Sequence, residues 1–184
     1  MVNFFKKKRS LVIILMVVVL GVFAVIYIIG LIIPVVTTYE YMYSASGPYE
    51  VVRVIDGDTF VVTIDDTETT IRMIGIDAPE SVASEDYYEE NTREGLVASE
   101  FTKKLLSSAS VALEYDVETT DKYGRTLAYV YLDDMTMVNE LLLENGMAEV
   151  CIIPPNEKYS DRFYSAMKKA KKEKKGFYGT GFFK

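Results

Sequence analysis

The sequence predicts an α+β fold: a five-stranded Greek-key β-barrel with about three helices, preceded by a transmembrane helix. Five short runs rich in β-branched residues are separated by Asp-Gly and Asp-Asp turn signals or by longer inserts, the pattern of a small, partly open barrel. Helical periodicity recurs between and after these runs. Leu11 to Ile33 contains no charged residue, and at about 1.5 Å per residue it is long enough to cross a bilayer core of about 30 Å.

Lys6, Lys7, Lys8 and Arg9 stand immediately before that apolar run. The positive-inside rule therefore assigns residues 1–10 to the cytoplasm, 11–33 to a signal-anchor helix and all that follows to the outside of the cell. A cleaved signal peptide, giving a secreted protein, is the alternative. Against it, the apolar run exceeds the roughly 7–15 residues of a signal h-region, and the small residues Ser44, Ala45 and Ser46 lie well beyond its end. Residues 34–48, with scattered Tyr, Ser and Gly and no period, read as a linker, and the folded domain is expected over 49–184.

Within that domain, Glu50 to Ile55, Phe60 to Ile64 and Thr69 to Ile74 form an expected three-strand meander. Val111 to Val117 and Thr126 to Leu132 supply two more strands. Asn91 with Glu94 three positions later fits a capping box opening a helix that presents Val97, Phe101 and Leu105 on one face. Thr136 is placed to cap a second, short helix that stops at Asn145-Gly146. A third helix, from about Ser160 to Lys175, turns Phe163, Met167 and Ala170 inward. Its lysines, Lys168, Lys169, Lys171, Lys172, Lys174 and Lys175, form a cationic outer surface. They read either as a solvated face favoured by the helix dipole or as a contact for phosphate backbones or lipid headgroups.

Composition removes several chemistries. The chain has no histidine, which excludes Ser-His-Asp hydrolysis, His-ligated zinc and His-based nuclease mechanisms. Cys151, the single cysteine, cannot form an internal disulfide or a multi-thiolate metal site, and Val150 to Ile153 suggests a small apolar core side chain. Setting aside four cations and Glu40 in the first 44 residues leaves 16 basic against 26 acidic residues, a net charge of −10. That is an awkward charge for a nucleic-acid binder.

The chemistry-bearing residues concentrate in Asp56-Gly57-Asp58-Thr59 and in Ile71-Arg72 through Asp77-Ala78-Pro79-Glu80, with a second arginine in Asp121-Lys122-Tyr123-Gly124-Arg125. Two carboxylates able to share a hard cation, a guanidinium able to hold a phosphate, and a third carboxylate able to act as a base suit phosphodiester hydrolysis.

Together with Met137-Val138-Asn139-Glu140-Leu141-Leu142, these motifs make the chain from about Tyr49 to Tyr178 resemble the staphylococcal nuclease (thermonuclease) family. The resemblance implies an OB-fold, a requirement for Ca²⁺, and cleavage of DNA or RNA to 5′-hydroxyl and 3′-phosphate ends. It implies that Asp58, Asp77 and the backbone carbonyl of Ala78 hold calcium, that Glu80 is the general base, that Arg72 and Arg125 are the paired guanidiniums, and that Tyr123 borders the nucleotide pocket. No protein partner is evident, and the chain is expected to act as a monomer. A non-catalytic OB-fold binding ectodomain is the alternative, but it predicts substituted site residues. The acidic run Ser84 to Glu90 replaces a basic loop of the staphylococcal enzyme, and Ile152-Ile153-Pro154-Pro155 lacks that enzyme's pocket tyrosines. Both departures point to a weaker hold on polyanions and on unpaired bases.

Overall fold

The computed structural model describes residues 21–30, 45–81, 92–107 and 110–184. The chain divides into two units, Met1–Tyr43 and Ser44–Lys184. In the first, residues 21–30 are helical with exposed side chains. Among the described residues, no helix is long and apolar enough to cross a membrane. Most of the expected span, the basic N-terminus, most of the expected linker, the acidic run 84–90 and Asn91 lie outside the described residues.

In the second unit, β1 (Ala45–Val54), β2 (Thr59–Ile64), β3 (Thr67–Met73), β5 (Ser110–Glu114) and β6 (Thr126–Tyr131) close a barrel in the order β1-β2-β3-β6-β5. The expected five strands are present, and the barrel is closed rather than partly open. β2 and β3 form a hairpin from Thr59↔Arg72 to Ile64↔Thr67. Its two-residue turn, Asp65-Asp66, has φ of 47° and 60°, the left-handed geometry whose twist matches the flanking strands. β6 then joins β3 in parallel, pairing Ile71 with Thr126, Arg72 with Leu127 and Met73 with Ala128. The Ile74 N–H, donating to the Ala128 carbonyl at 3.0 Å, extends this junction.

β1 starts five residues before its expected position, inside the segment read as linker. Ala45 and Ser46 pair with Glu114 and Leu113, and the register shifts before Tyr49 pairs with Val111. That irregularity lets Gly47 and Pro48, which signal a turn, sit within a strand. A small antiparallel sheet of β4 (Gly75–Asp77) and β7 (Glu149–Cys151) was not expected, and it places Cys151, half-buried, opposite Gly75 rather than in the core.

Among the described residues, four helices pack on this frame: α1 (Arg93–Leu106), α2 (Val138–Glu144), α3 (Ser160–Lys172) and α4 (Gly176–Thr180). The N-cap of α1 is Thr92, whose hydroxyl accepts from the Gly95 N–H at 2.9 Å. Its buried face is Gly95, Ala98, Ser99, Thr102 and Leu106, not the expected Val97, Phe101 and Leu105. Small side chains win because the helix approaches another stretch of backbone closely, as shown below. α2 has Met137 as its N-cap and no side-chain capping bond, so Thr136 does not cap it, and it ends at Asn145. α3 buries Phe163, Ala166 and Ala170 and leaves Met167 half-buried.

The core gathers Phe60, Ile71, Met73, Leu113, Leu142 and Phe163, each at most 1% exposed. Asn139 ties α2 to the barrel: its Nδ2 donates to the Ile74 carbonyl at 2.9 Å and its Oδ1 accepts from the Val130 N–H at 2.9 Å. Glu114 is also buried. It forms an ion pair with Lys158 and accepts from the hydroxyls of Tyr131 at 2.7 Å and Tyr159 at 2.9 Å, which offsets the cost of taking a carboxylate out of water.

Candidate active site

Three of the residues singled out by sequence meet directly. Thr59 opens β2 opposite Arg72 of β3, so the Asp56-Gly57-Asp58 turn lies beside the Arg72 end of that strand, and the Asp58 carbonyl accepts from the Met73 N–H at 2.9 Å. Arg72 Nη2 lies 3.0 Å from Asp58 Oδ2 and 2.8 Å from Asp77 Oδ1. Its Nη1 donates to the carbonyls of Met73 at 2.9 Å and Ile76 at 2.8 Å. These contacts engage both terminal nitrogens, so Arg72 is here the counter-ion of two carboxylates rather than an open phosphate clamp.

Asp58 is almost fully buried, while the Asp77 side chain is 61% exposed. The Ala78 N–H donates to Asp58 Oδ2 at 2.8 Å and the Thr59 hydroxyl to Oδ1 at 3.1 Å. Burial pushes the Asp58 carboxyl up to about 8; Arg72 and the Ala78 N–H pull it down, and neighbouring Asp56 and Asp77 push it further up. Two acids thus share one guanidinium, with Asp56 close beside the first of them.

The donor set fits a hard divalent cation. Asp58 Oδ2 and Asp77 Oδ1 already converge on one cationic nitrogen, and both are the oxygen ligands that calcium prefers. Among the described residues, no group of three or more Asp, Glu, Cys or His side chains is arranged to hold a metal. Two carboxylates and the Ala78 carbonyl would therefore leave most of calcium's six to eight positions to water or substrate.

A pH dependence follows from the Asp58 carboxyl. Its folded value lies above the ordinary 3.8, so between those values the folded state holds a proton that the unfolded chain has released. The contribution of this group to stability is present at acid pH and is lost as pH rises from about 4 to about 8. In EDTA, thermal unfolding of Asp58→Asn should show a flatter profile across this range than the parent chain. Parallel profiles would refute the assignment.

Glu80, three residues beyond Asp77, is half-buried and held through its backbone. Its carbonyl accepts from the Thr92 N–H at 3.3 Å and from the Thr92 hydroxyl at 3.2 Å. α1 approaches so closely that a Cβ on Gly95 would lie 1.8 Å from the Glu80 oxygen. One turn further, a Cβ on Gly57 would meet the Ala78 and Ala98 methyls at 2.6 and 2.9 Å, and the Thr102 hydroxyl donates to the Gly57 carbonyl at 2.6 Å. The small-residue face of α1 is therefore a seat for both acidic loops. Sequence reasoning missed Gly95 and Thr102 and gave Asp56 no role beyond its place in the motif. A glycine in the first turn of a helix, where it costs about 1 kcal/mol relative to alanine, is the signal that could have revealed the seat.

Tyr123 and Arg125 form a second group. Asp121 organises it, its Oδ1 accepting from the N–H groups of Tyr123 and Arg125 at 2.9 Å each and its Oδ2 accepting from Arg125 Nε at 2.7 Å. Nε is thereby occupied, and the Nη1 and Nη2 fork makes no hydrogen bond to the described residues. Its guanidinium carbon lies 5.3 Å from the centre of the Tyr123 ring, which is half exposed. Arg125 immediately precedes β6, two residues before the register partner of Arg72. The offset is roughly 7 Å along neighbouring strands.

Residues 70–179 match the family described as "Staphylococcal nuclease homologue". The chain is 45% identical over 132 residues to a thermonuclease of Staphylococcus hyicus, spanning 72% of this chain and 76% of that protein. It is 46% identical over 125 residues to a thermonuclease of Staphylococcus intermedius, covering 68% of this chain and 72% of the relative. It is also similar to Endonuclease YncB of Bacillus subtilis, at 39% identity over 124 residues, covering 66% of this chain and 57% of that protein.

Proposed function

The chain belongs to the staphylococcal nuclease family, and from that premise we propose that it is a calcium-dependent phosphodiesterase that cuts DNA or RNA to 5′-hydroxyl and 3′-phosphate ends. It is a hydrolytic nuclease. The observation that carries the calcium reading is the convergence of Asp58 Oδ2 and Asp77 Oδ1 on a single cation position.

In this reading Asp58, Asp77 and the Ala78 carbonyl hold the ion. Bound there, calcium supplies Lewis-acid stabilisation of a phosphate oxygen. Glu80 takes a proton from the attacking water, whose oxygen bonds to phosphorus as the bond to the 5′-oxygen breaks. The leaving oxygen is protonated by solvent. Arg125 places its open fork on the phosphate oxygens and offsets the charge that builds up in the five-coordinate state. Arg72 joins it to the extent that a second cation relieves its two carboxylates, and Tyr123 flanks the nucleotide.

The enzyme is further proposed to act outside the cell, tethered through Leu11 to Ile33. The uncharged run and the basic cluster before it support that placement. Calcium at extracellular, millimolar levels fills even a site with a dissociation constant of about 10⁻⁴–10⁻³ M.

The test is degradation of plasmid DNA by the full chain with calcium, with EDTA, and with Glu80→Gln. Cleavage is expected in the first arm alone; cleavage that persists in EDTA would sink the metal reading, and none in any arm would sink the nuclease reading. Cell fractionation addresses the tether: a product in the medium lacking residues 11–33 would replace it with a cleaved signal.

A further inference from the structure

The folded unit carries a net charge of −10, yet six of its sixteen basic residues fall within the eight positions from Lys168 to Lys175, with Glu173 the one acid among them. All six lysines are exposed. Among the described residues, Lys175 is the only one of the six to make an ion pair, with Glu173 at 3.2 Å. On α3, Phe163, Ala166 and Ala170 face the core. The opposite face, at helical spacing, holds Tyr164, Lys168 and Lys172, flanked by Lys169 and Lys171.

A helix dipole accounts for Lys169, Lys171 and Lys172 of this patch but not for all of it. Its attraction for cations fades within the last turn, and Lys168 lies before that turn. Like charges three and four residues apart, as in Lys168/Lys171, Lys168/Lys172 and Lys169/Lys172, also weaken a helix. Four like charges gathered on one short helix carry a mutual repulsion that an external polyanion would relieve.

The patch is mounted rigidly with respect to the catalytic cluster. The Phe177 N–H, just beyond the lysines, donates to the Gly146 carbonyl at 2.9 Å. Three residues on, Glu149 of β7 pairs with Asp77 of β4. Summed along this path, the end of α3 lies at most about 40 Å from Asp77. At about 3.4 Å per nucleotide of a duplex strand, that distance is about twelve nucleotides at most.

We infer that the outer face of α3 is a second, sequence-independent docking surface for the phosphate backbone of long nucleic-acid substrates, remote from the bond being cut. The inference rests on the nuclease reading above. The lysines supply the local attraction that the acidic domain otherwise lacks, and Tyr164, half exposed, offers a ring for an unpaired base. The surface holds long substrates and is out of reach of short ones.

The experiment compares the full chain in neutral detergent with a Lys168→Gln, Lys169→Gln, Lys171→Gln, Lys172→Gln variant and with the matching four Lys→Arg changes. Binding of a labelled 30-base-pair duplex is followed by fluorescence anisotropy in EDTA across a salt series, and cleavage of that duplex and of a dinucleotide is followed with calcium. The glutamine variant should bind the duplex about tenfold more weakly at low salt, with a salt slope shallower by about 2 or more. It should cleave the dinucleotide normally, and the arginine variant should match the parent on both substrates. Unchanged duplex affinity and slope would overturn the inference and leave the nuclease reading intact. Loss of binding to phosphatidylserine vesicles without loss of duplex affinity would overturn it in favour of a lipid contact. A parent chain that binds the duplex but cleaves nothing with calcium would fell the nuclease reading instead.

Discussion

Replacing Arg125 with alanine should lower kcat on DNA by about 10²–10³, equivalent to about 3–4 kcal/mol of barrier, the scale of losing one preorganised donor to a developing oxyanion. Among the described residues its terminal fork is uncommitted, whereas both terminal nitrogens of Arg72 are engaged by carboxylates and carbonyls. The fold should tolerate the change well, because Asp121 still accepts from two backbone N–H groups. Lysine at this position should rescue little, since a point charge does not reproduce a planar fork. Steady-state kinetics together with thermal unfolding decides the matter. A kcat within threefold of the parent would remove Arg125 from the reaction, and a collapse in melting temperature would show that its role is structural.

Gly95→Ala should produce the largest loss of stability, against the ordinary rule that alanine strengthens a helix by about 1 kcal/mol over glycine. The added methyl would lie 1.8 Å from the Glu80 oxygen, 2.3 Å from its carbonyl carbon and 2.7 Å from the Ser81 nitrogen. All three are backbone atoms, so no side chain can rotate away. Either α1 withdraws from its seat or the 79–81 segment moves. A cost of about 3 kcal/mol is expected, at the upper end for overpacking, which is a fall of about 10 °C in melting temperature for a domain of this size. Because the displaced segment carries Glu80, activity at 25 °C should fall as well. A variant as stable and active as the parent would show that this contact is relaxed in solution.

The barrel strands were legible because their alternating β-branched residues lie between turn formers, and that signal is local. The first half of β1 was not legible: Ser46, Gly47 and Pro48 argue for a turn, and only pairing with β5 holds them extended. β4 and β7, at three residues each, are too short to show any period. In α1 the apolar spacing of Val97, Phe101 and Leu105 outweighed the small residues, although the close approach of backbone selects the latter. Burial of Glu114 was equally hidden, since its partners Lys158 and Tyr159 arrive from more than 40 residues away.

For the site, motif residues identified the participants but not their engagements. Asp58, Arg72 and Asp77 were read as two metal ligands and a phosphate clamp, and the structure joins all three in one ion-pair cluster. Asp121 was visible only as part of a motif. Its three accepted hydrogen bonds make it the residue that aims Arg125.

The parallel seam between β3 and β6 has a consequence for inactivation. Arg72 rides on one strand and Arg125 leads into the other, so the gap between the two guanidiniums depends on how the cylinder closes as well as on the Asp121 turn that aims Arg125. A slip of a single position along that seam would turn one side chain toward the interior. Catalytic output therefore monitors seam integrity: gentle heating or dilute urea that parts these two strands should silence the enzyme before its helices melt.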